Sequence, residues 1–141
     1  MSTKEEVTSE ATALIEATGH RATEARIAVL DTLLSAEYAL THQEIEQRLA
    51  SQKYVIDRVT LYRVLDWALK KGLAHKMTGD DRVWRFNAAL SADHAHFHCN
   101  RCGQIYCLEH LTPAVALTLP KGFKFDHAEL TVQGLCPNCT E

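Results

Sequence analysis

Five cysteines, Cys99, Cys102, Cys107, Cys136 and Cys139, all fall in the last third of the chain, and four of them form two C-x2-C pairs. Two residues between sulfurs let one tight turn deliver both thiolates to a single ion at ~2.3 Å. Four thiolates fill a tetrahedral sphere and leave no position for water. Cys99, Cys102, Cys136 and Cys139 therefore read as a closed, structural Zn2+ site that pins the C-terminal strand to the start of its domain. The 33 residues between Cys102 and Cys136 must fold as a body rather than as a loop. Redox dithiols are the alternative. They are disfavoured because no βαβ pattern precedes either pair, and in a reducing compartment such spacing points to metal.

A looser set of donors surrounds these pairs: His75, His94, His96, His98, Cys107, His110 and His127. Alternate residues of a strand share a face, so His94, His96 and His98 can point the same way. That face suits a second, exchangeable site, and imidazole with thiolate fits zinc better than magnesium or manganese. The competing reading is surface histidines on an exposed strand. His127-Ala128-Glu129 followed by Cys136-Pro137-Asn138-Cys139 imitates a zinc-deaminase signature. Only six residues separate Glu129 from Cys136, however, and Cys99 and Cys102 compete for the metal. No GxSxG, P-loop or GxGxxG occurs, so no enzyme class is expected.

The elements that carry these residues fall into two kinds. The 141 residues are 46% apolar, enough for one mid-sized domain or two small ones. No apolar run approaches the ~18 residues of a membrane span, and the acidic, helix-like start has no signal-peptide core, so a cytoplasmic protein without membrane contact is expected. Residues 8–18 carry Ala11, Leu14, Ile15 and Ala17 at helical spacing. Thr23 predicts the cap of a second helix with Ile27, Leu30, Leu33 and Leu34 inside. Thr41 with Glu44 predicts a capping box, and Asp57 caps a fourth helix that Gly72 stops. The period then falls to two: Leu73, His75 and Met77, a TGDD turn, then Val83, Trp84 and Phe86 predict a hairpin.

Helices followed by a hairpin describe a winged helix, with the third and fourth helices as the helix-turn-helix pair. The expected fold is α+β: a winged-helix DNA-binding domain over 1–86, a hinge over 87–93, and a small α/β metal-binding domain over 94–141, too small to stand alone without a metal, a partner, or both. In that second domain HAHFHC and QIYC read as strands flanking the CNRC knuckle, TPAVALTL as a helix capped by Thr112, and FKFDHAELTVQ as a long strand with a bulge near 127–129.

Net charge is −3, so no global basic field announces nucleic acid, but the charge is uneven. Residues 1–19 hold one Lys and four Glu, whereas residues 58–85 hold seven Lys/Arg against three Asp. Arg58, Thr60, Tyr62, Arg63 and Lys70 share the outer faces of the fourth helix, where Arg can meet phosphate or guanine and Tyr and Thr a phosphate or thymine methyl. Arg21 stands just before the second helix, within reach of a neighbouring groove.

The strings GHRATEARIAVL, DRVTLYRVLDWALKKGLAHK, HAHFHCNRCG and GLCPNC, in this order, resemble the ferric uptake regulator (Fur) family of bacterial metal-dependent repressors over nearly the whole chain. The resemblance implies a homodimer whose winged helices bind double-stranded DNA, an AT-rich inverted repeat, and whose α/β domains pair. It also implies a regulatory metal at the hinge between the domains. It carries the structural zinc ligands onto Cys99, Cys102, Cys136 and Cys139, DNA reading onto Thr60, Tyr62 and Arg63, the minor-groove residue onto Arg21, and the regulatory H-x-H onto His94 and His96.

Arg85 occupies the position where iron-type members carry a glutamate ligand, and Cys107 stands where they carry another. Two lost carboxylates and a gained thiolate argue for zinc. His75 is placed like a hinge ligand of the zinc uptake regulator branch, and His127 matches a histidine there. The expected regulatory ligands are thus His75, His94, His96 and Cys107, with His98, His110 and His127 as possible additional ones. The expected function is a zinc-responsive repressor of zinc uptake and homeostasis genes. Its rivals are a relative sensing iron, manganese or peroxide, and a zinc-buffering protein that binds no DNA.

Overall fold

A computed structural model of the chain describes residues 4–89, 95–108, 118–126, 128 and 130–140. It divides into two compact units, Met1–Leu90 and Ser91–Glu141. The first unit is α1 (Lys4–Ala17), α2 (Glu24–Ser35), α3 (His42–Ser51), α4 (Arg58–Lys70), β1 (Ala74–Thr78) and β2 (Trp84–Ala88). The predicted caps set the helix starts. The side chains of Thr23 and Asp57 accept from the backbone N–H of Arg26 and Thr60, and Thr41 with Glu44 closes a complete capping box. Each satisfies a backbone donor that the first turn leaves open. At the far end of α4, Gly72 takes φ +72, which reverses the chain into β1.

The inner faces meet in one apolar core. Ile15, Val29, Leu40, Ile45, Leu49, Leu61 and Leu65 are fully buried. The central helix α2 departs from the expected stripe. Val29 takes an innermost place, Asp31 and Thr32 are buried beside Leu30 and Leu33, and Ile27 and Leu34 are only partly covered. The reason is that α2 is contacted by α1, α3, α4 and β2 together, so more than one face is enclosed. β1 and β2 pair antiparallel from Ala74↔Ala88 to Thr78↔Trp84, and Leu40 adds an isolated bridge to Phe86. β2 runs through Ala88, two residues into the stretch read as hinge.

The second unit is a three-stranded sheet in the order β4-β3-β5, made of β3 (Ala95–Cys99), β4 (Ile105–Leu108) and β5 (Leu130–Gly134). β3 and β4 are antiparallel around the first knuckle, and β5 lies parallel to β3, from Ala95↔Leu130 to Cys99↔Gly134. The long strand expected over FKFDHAELTVQ is shorter than predicted. Phe123–Asp126 lie outside any strand and are exposed, because the described β3 offers partners only from Leu130 onward. The predicted bulge at His127 and Glu129 and residues 112–117 of the helix expected over 112–119 lie outside the described residues, and Thr118 and Leu119 are not helical.

Candidate metal centre and nucleic-acid interface

The sulfurs of Cys99, Cys102, Cys136 and Cys139 all lie within 4.8 Å of one another. Cys99 ends β3, Cys102 sits in the turn to β4, and Cys136 and Cys139 follow β5, so the parallel β3–β5 pairing brings the two knuckles together. The Asn100 N–H donates to the Gly134 carbonyl at 2.7 Å, and Arg101 Nη1 donates to the Cys139 carbonyl at 2.8 Å. Four sulfurs at ~2.3 Å from one ion stand about 3.8 Å apart at tetrahedral angles. Cys102 Sγ and Cys136 Sγ are 3.8 Å apart, which fits a shared ion and not a disulfide at ~2.05 Å.

The local donors already favour thiolate at part of the site. Backbone N–H groups of Cys102 and then Cys136 hold the Cys99 thiol down at about 5, the Cys136 N–H lying 3.4 Å from its sulfur. The Tyr106 hydroxyl lowers Cys136. Hydrogen bonding to Cys136, then burial, pushes Cys139 up to about 12. Four adjacent thiols do not all ionise by themselves, and coordination to a divalent cation is what removes the last protons. Four sulfur donors would fill a tetrahedral ion's coordination sphere and leave no position for water or substrate. Among the described residues it is the one such cluster of three or more donors.

The looser set divides between the units. In the second, His96 on β3 stands directly opposite Cys107 on β4 and beside Thr131 on β5. Residues paired in this way have Cβ atoms ~4.5–5.5 Å apart and project from the same face. His98, two residues on, shares that face and pairs with Ile105. His94, His110 and His127 lie outside the described residues. In the first unit, His75 on β1 pairs with Asn87 on β2.

Arg85 is not available to a metal. Its guanidinium donates to both carboxylate oxygens of Asp81, at 3.0 and 2.8 Å, and holds that carboxyl down at about 2. The residue that sequence reasoning missed is Asn87. It is 6% exposed, and neither its amide nitrogen nor its oxygen has a hydrogen-bond partner among the described residues. A polar residue inside the buried run of β2 was the available signal, since such a group is costly to enclose unless satisfied.

The predicted DNA-facing residues ride on α4 and its approaches. Tyr62 is 46% exposed and its ring packs edge-on at 4.4 Å against His42 at the start of α3. His42 also meets Phe86 of β2 at 4.8 Å, so helix pair and wing share one aromatic joint. Arg58 reaches Glu46 at 3.5 Å, and Arg63 is exposed. Thr60 is differently engaged: its hydroxyl donates to Asp57 at 2.8 Å and buttresses the cap. Val59, which sequence reasoning did not single out, is 57% exposed. It lies on the same stripe as Tyr62 and Arg63 at i, i+3 and i+4, and helical spacing of exposed residues would have found it. Arg21 is exposed on the connector before α2.

Fold and site together define a winged-helix protein with a four-cysteine metal centre, and the comparisons agree. Residues 17–133 match the ferric uptake regulator family, and the chain belongs to it. It is therefore a metal-responsive, DNA-binding transcriptional regulator and not an enzyme. The transcriptional regulator FurA of Mycobacterium tuberculosis is 29% identical over 126 residues, 85% of this chain and 83% of its own. The peroxide operon regulator of Bacillus subtilis is 29% identical, covering 94% and 92%. The zinc uptake regulation protein of Escherichia coli is 26% identical, covering 99% and 84%. A zinc uptake regulator complexed with zinc and DNA has the same fold, with a TM-score of 0.67, 20% identity, and 98% and 95% of the two chains covered. No helix among the described residues is long and apolar enough to cross a membrane.

Proposed function

We propose that this regulator is a cytoplasmic zinc-responsive repressor, acting as a homodimer on AT-rich inverted repeats that control zinc uptake and homeostasis genes. The observation that carries the reading is the cross-strand pair of His96 and Cys107. An imidazole and a thiol side by side are zinc-type donors, whereas iron and manganese sites draw more on carboxylate. The bidentate capture of Arg85 by Asp81 supports it further, since no carboxylate ligand stands at that position.

The structural zinc is assigned to Cys99, Cys102, Cys136 and Cys139, and the regulatory zinc to His75, His94, His96 and Cys107. His98, His110 and His127 are the further donors available. Asn87, paired with His75, offers an amide oxygen beside that ligand. Zinc held by these donors would supply a Lewis-acidic centre that joins them through one ion. With His75 in one unit and the remaining ligands in the other, a bound ion would couple the two units and so bias two recognition helices toward successive major grooves. Arg21, Arg58, Thr60, Tyr62 and Arg63 are the DNA-binding set, Thr60 through its support of the α4 cap. Support for the homodimer comes from Leu119, Phe123, Phe125, Leu130 and Leu135, which the second unit leaves exposed and a second copy would cover.

Replacing His96 by Ala tests the assignment by fluorescence anisotropy on operator DNA. Zinc-dependent binding is lost while the four-cysteine zinc and the fold remain. Unchanged zinc dependence removes the site. A second reading, peroxide sensing through the partly exposed Cys107, predicts loss of DNA binding under mild peroxide and its recovery with a thiol reductant.

A further inference from the structure

The Arg21-bearing connector is tied to α4 by contacts that DNA reading itself does not require. Arg26, in the first turn of α2, lies with its guanidinium 4.1 Å from the centre of the Trp67 ring on α4. The same guanidinium donates through Nη1 to the carbonyl of Arg21 at 3.0 Å, an oxygen that also accepts the Thr23 N–H at 3.0 Å. His20, immediately before Arg21, meets the Trp67 ring edge-on at 5.7 Å. The indole serves here through its face. Its Nε1–H is buried with no hydrogen-bond partner among the described residues, while the π surface takes the cation and the imidazole edge. Trp67 stands one helical turn beyond Arg63 on α4, at i+4, so the clamp closes beside the exposed reading stripe.

We propose that Arg26 and Trp67 are positioning residues that hold Arg21 at a fixed offset from the reading helix, so that minor-groove and major-groove contacts engage as one rigid unit. The inference rests on the proposed DNA-contacting role of Arg21. A basic side chain on a loose connector spends binding energy on its own ordering, and a clamped one has met that cost during folding. The minor groove distinguishes A·T from G·C by a single amino group, so readout there depends on where the guanidinium is held.

The test uses the full chain with zinc and a duplex selected by the protein itself from a random-sequence pool. Affinity is measured for wild type, R21A, R26Q, W67L, W67F and the double variant R21A/R26Q. R26Q and W67L weaken binding about tenfold, the scale of one good base contact. W67F, which keeps an aromatic face, stays close to wild type. The double variant binds no more weakly than R21A alone, which is the signature of one residue acting through the other.

Placing 2,6-diaminopurine for adenine at the outer positions adds a minor-groove amino group and leaves the major groove unchanged. Wild type discriminates against it and R26Q does not. Equal weakening by R26Q in the wild-type and R21A backgrounds overturns the proposal, since Arg26 then acts on its own. So does a silent R21A, which removes the minor-groove role of Arg21 while leaving the His96-dependent zinc response standing. If wild type selects no duplex at all, the repressor reading fails first.

Discussion

The first unit buries Ile15, Val29, Leu40, Ile45, Leu49, Leu61 and Leu65 in a continuous apolar core. In the second, the buried described residues are Ala95, Cys99, Ile105 and Cys136, and two of these four are ligands of the sulfur cluster. The winged helix is thus held by burial of apolar surface, at roughly 25 cal/mol per Å2. Among its described residues the smaller sheet buries little such surface, and on the proposed assignment coordination supplies the cohesion that burial does not. The first unit thus has a core that needs no metal, whereas half of the second unit's described buried residues are thiols of one cluster, and the proposed regulatory donors fall on both units.

The largest effect that would separate the units is removal of the structural ion. Chelation, or Cys102→Ser, unfolds the second unit, since structural zinc contributes on the order of 10 kcal/mol of apparent folding energy. Amide NMR signals of the winged helix persist meanwhile. Joint collapse of both sets of signals, or survival of both, would break the comparison. Leu61→Ala makes the complementary cut. It lowers the stability of the first unit by about 3–5 kcal/mol in denaturant unfolding and leaves zinc content unchanged.

A smaller cut, Thr41→Ala, removes the capping box of α3 at a cost of about 1 kcal/mol, again confined to the first unit.

Acid probes the same division more finely. Burial first, then the nearby Arg58, lowers the His42 imidazole, with Glu46 opposing them. The unfolded state then binds the extra proton more readily. The first unit is fully stabilised above pH ~6.5 and loses stability as pH falls through the lowered value. His42→Gln flattens that part of the pH–stability curve. The smallest effect belongs to Asp81. With its carboxyl held at about 2, chiefly by Arg85, the wing ion pair survives acidification to pH ~4 and dissolves only as pH approaches 2, as a carboxyl NMR titration would record.

Much of this was legible in the residues because it is local. Thr23, Thr41 and Asp57 announce their helices by cap chemistry, and two C-x2-C pairs announce their cluster by spacing. What the sequence hid depends on partners distant in the chain. The α2 stripe is reassigned because neighbours enclose that helix on several sides. β5 starts late because its length is set by β3 rather than by its own alternation. Arg85 stands out through the family pattern, but its capture by Asp81 and the pairing of Asn87 with His75 emerge only from the fold. That the Thr60 hydroxyl donates to Asp57 is likewise seen only in the folded chain.

The central claim is that zinc, and not another metal, switches DNA binding through imidazole and thiolate donors. Its most direct test is retention of fragments of the source genome across buffered series of free Zn2+, Fe2+ and Mn2+. The account predicts sharp, zinc-selective retention of a few AT-rich palindromic promoters. Retention that follows iron or manganese, or that ignores metal altogether, would contradict it.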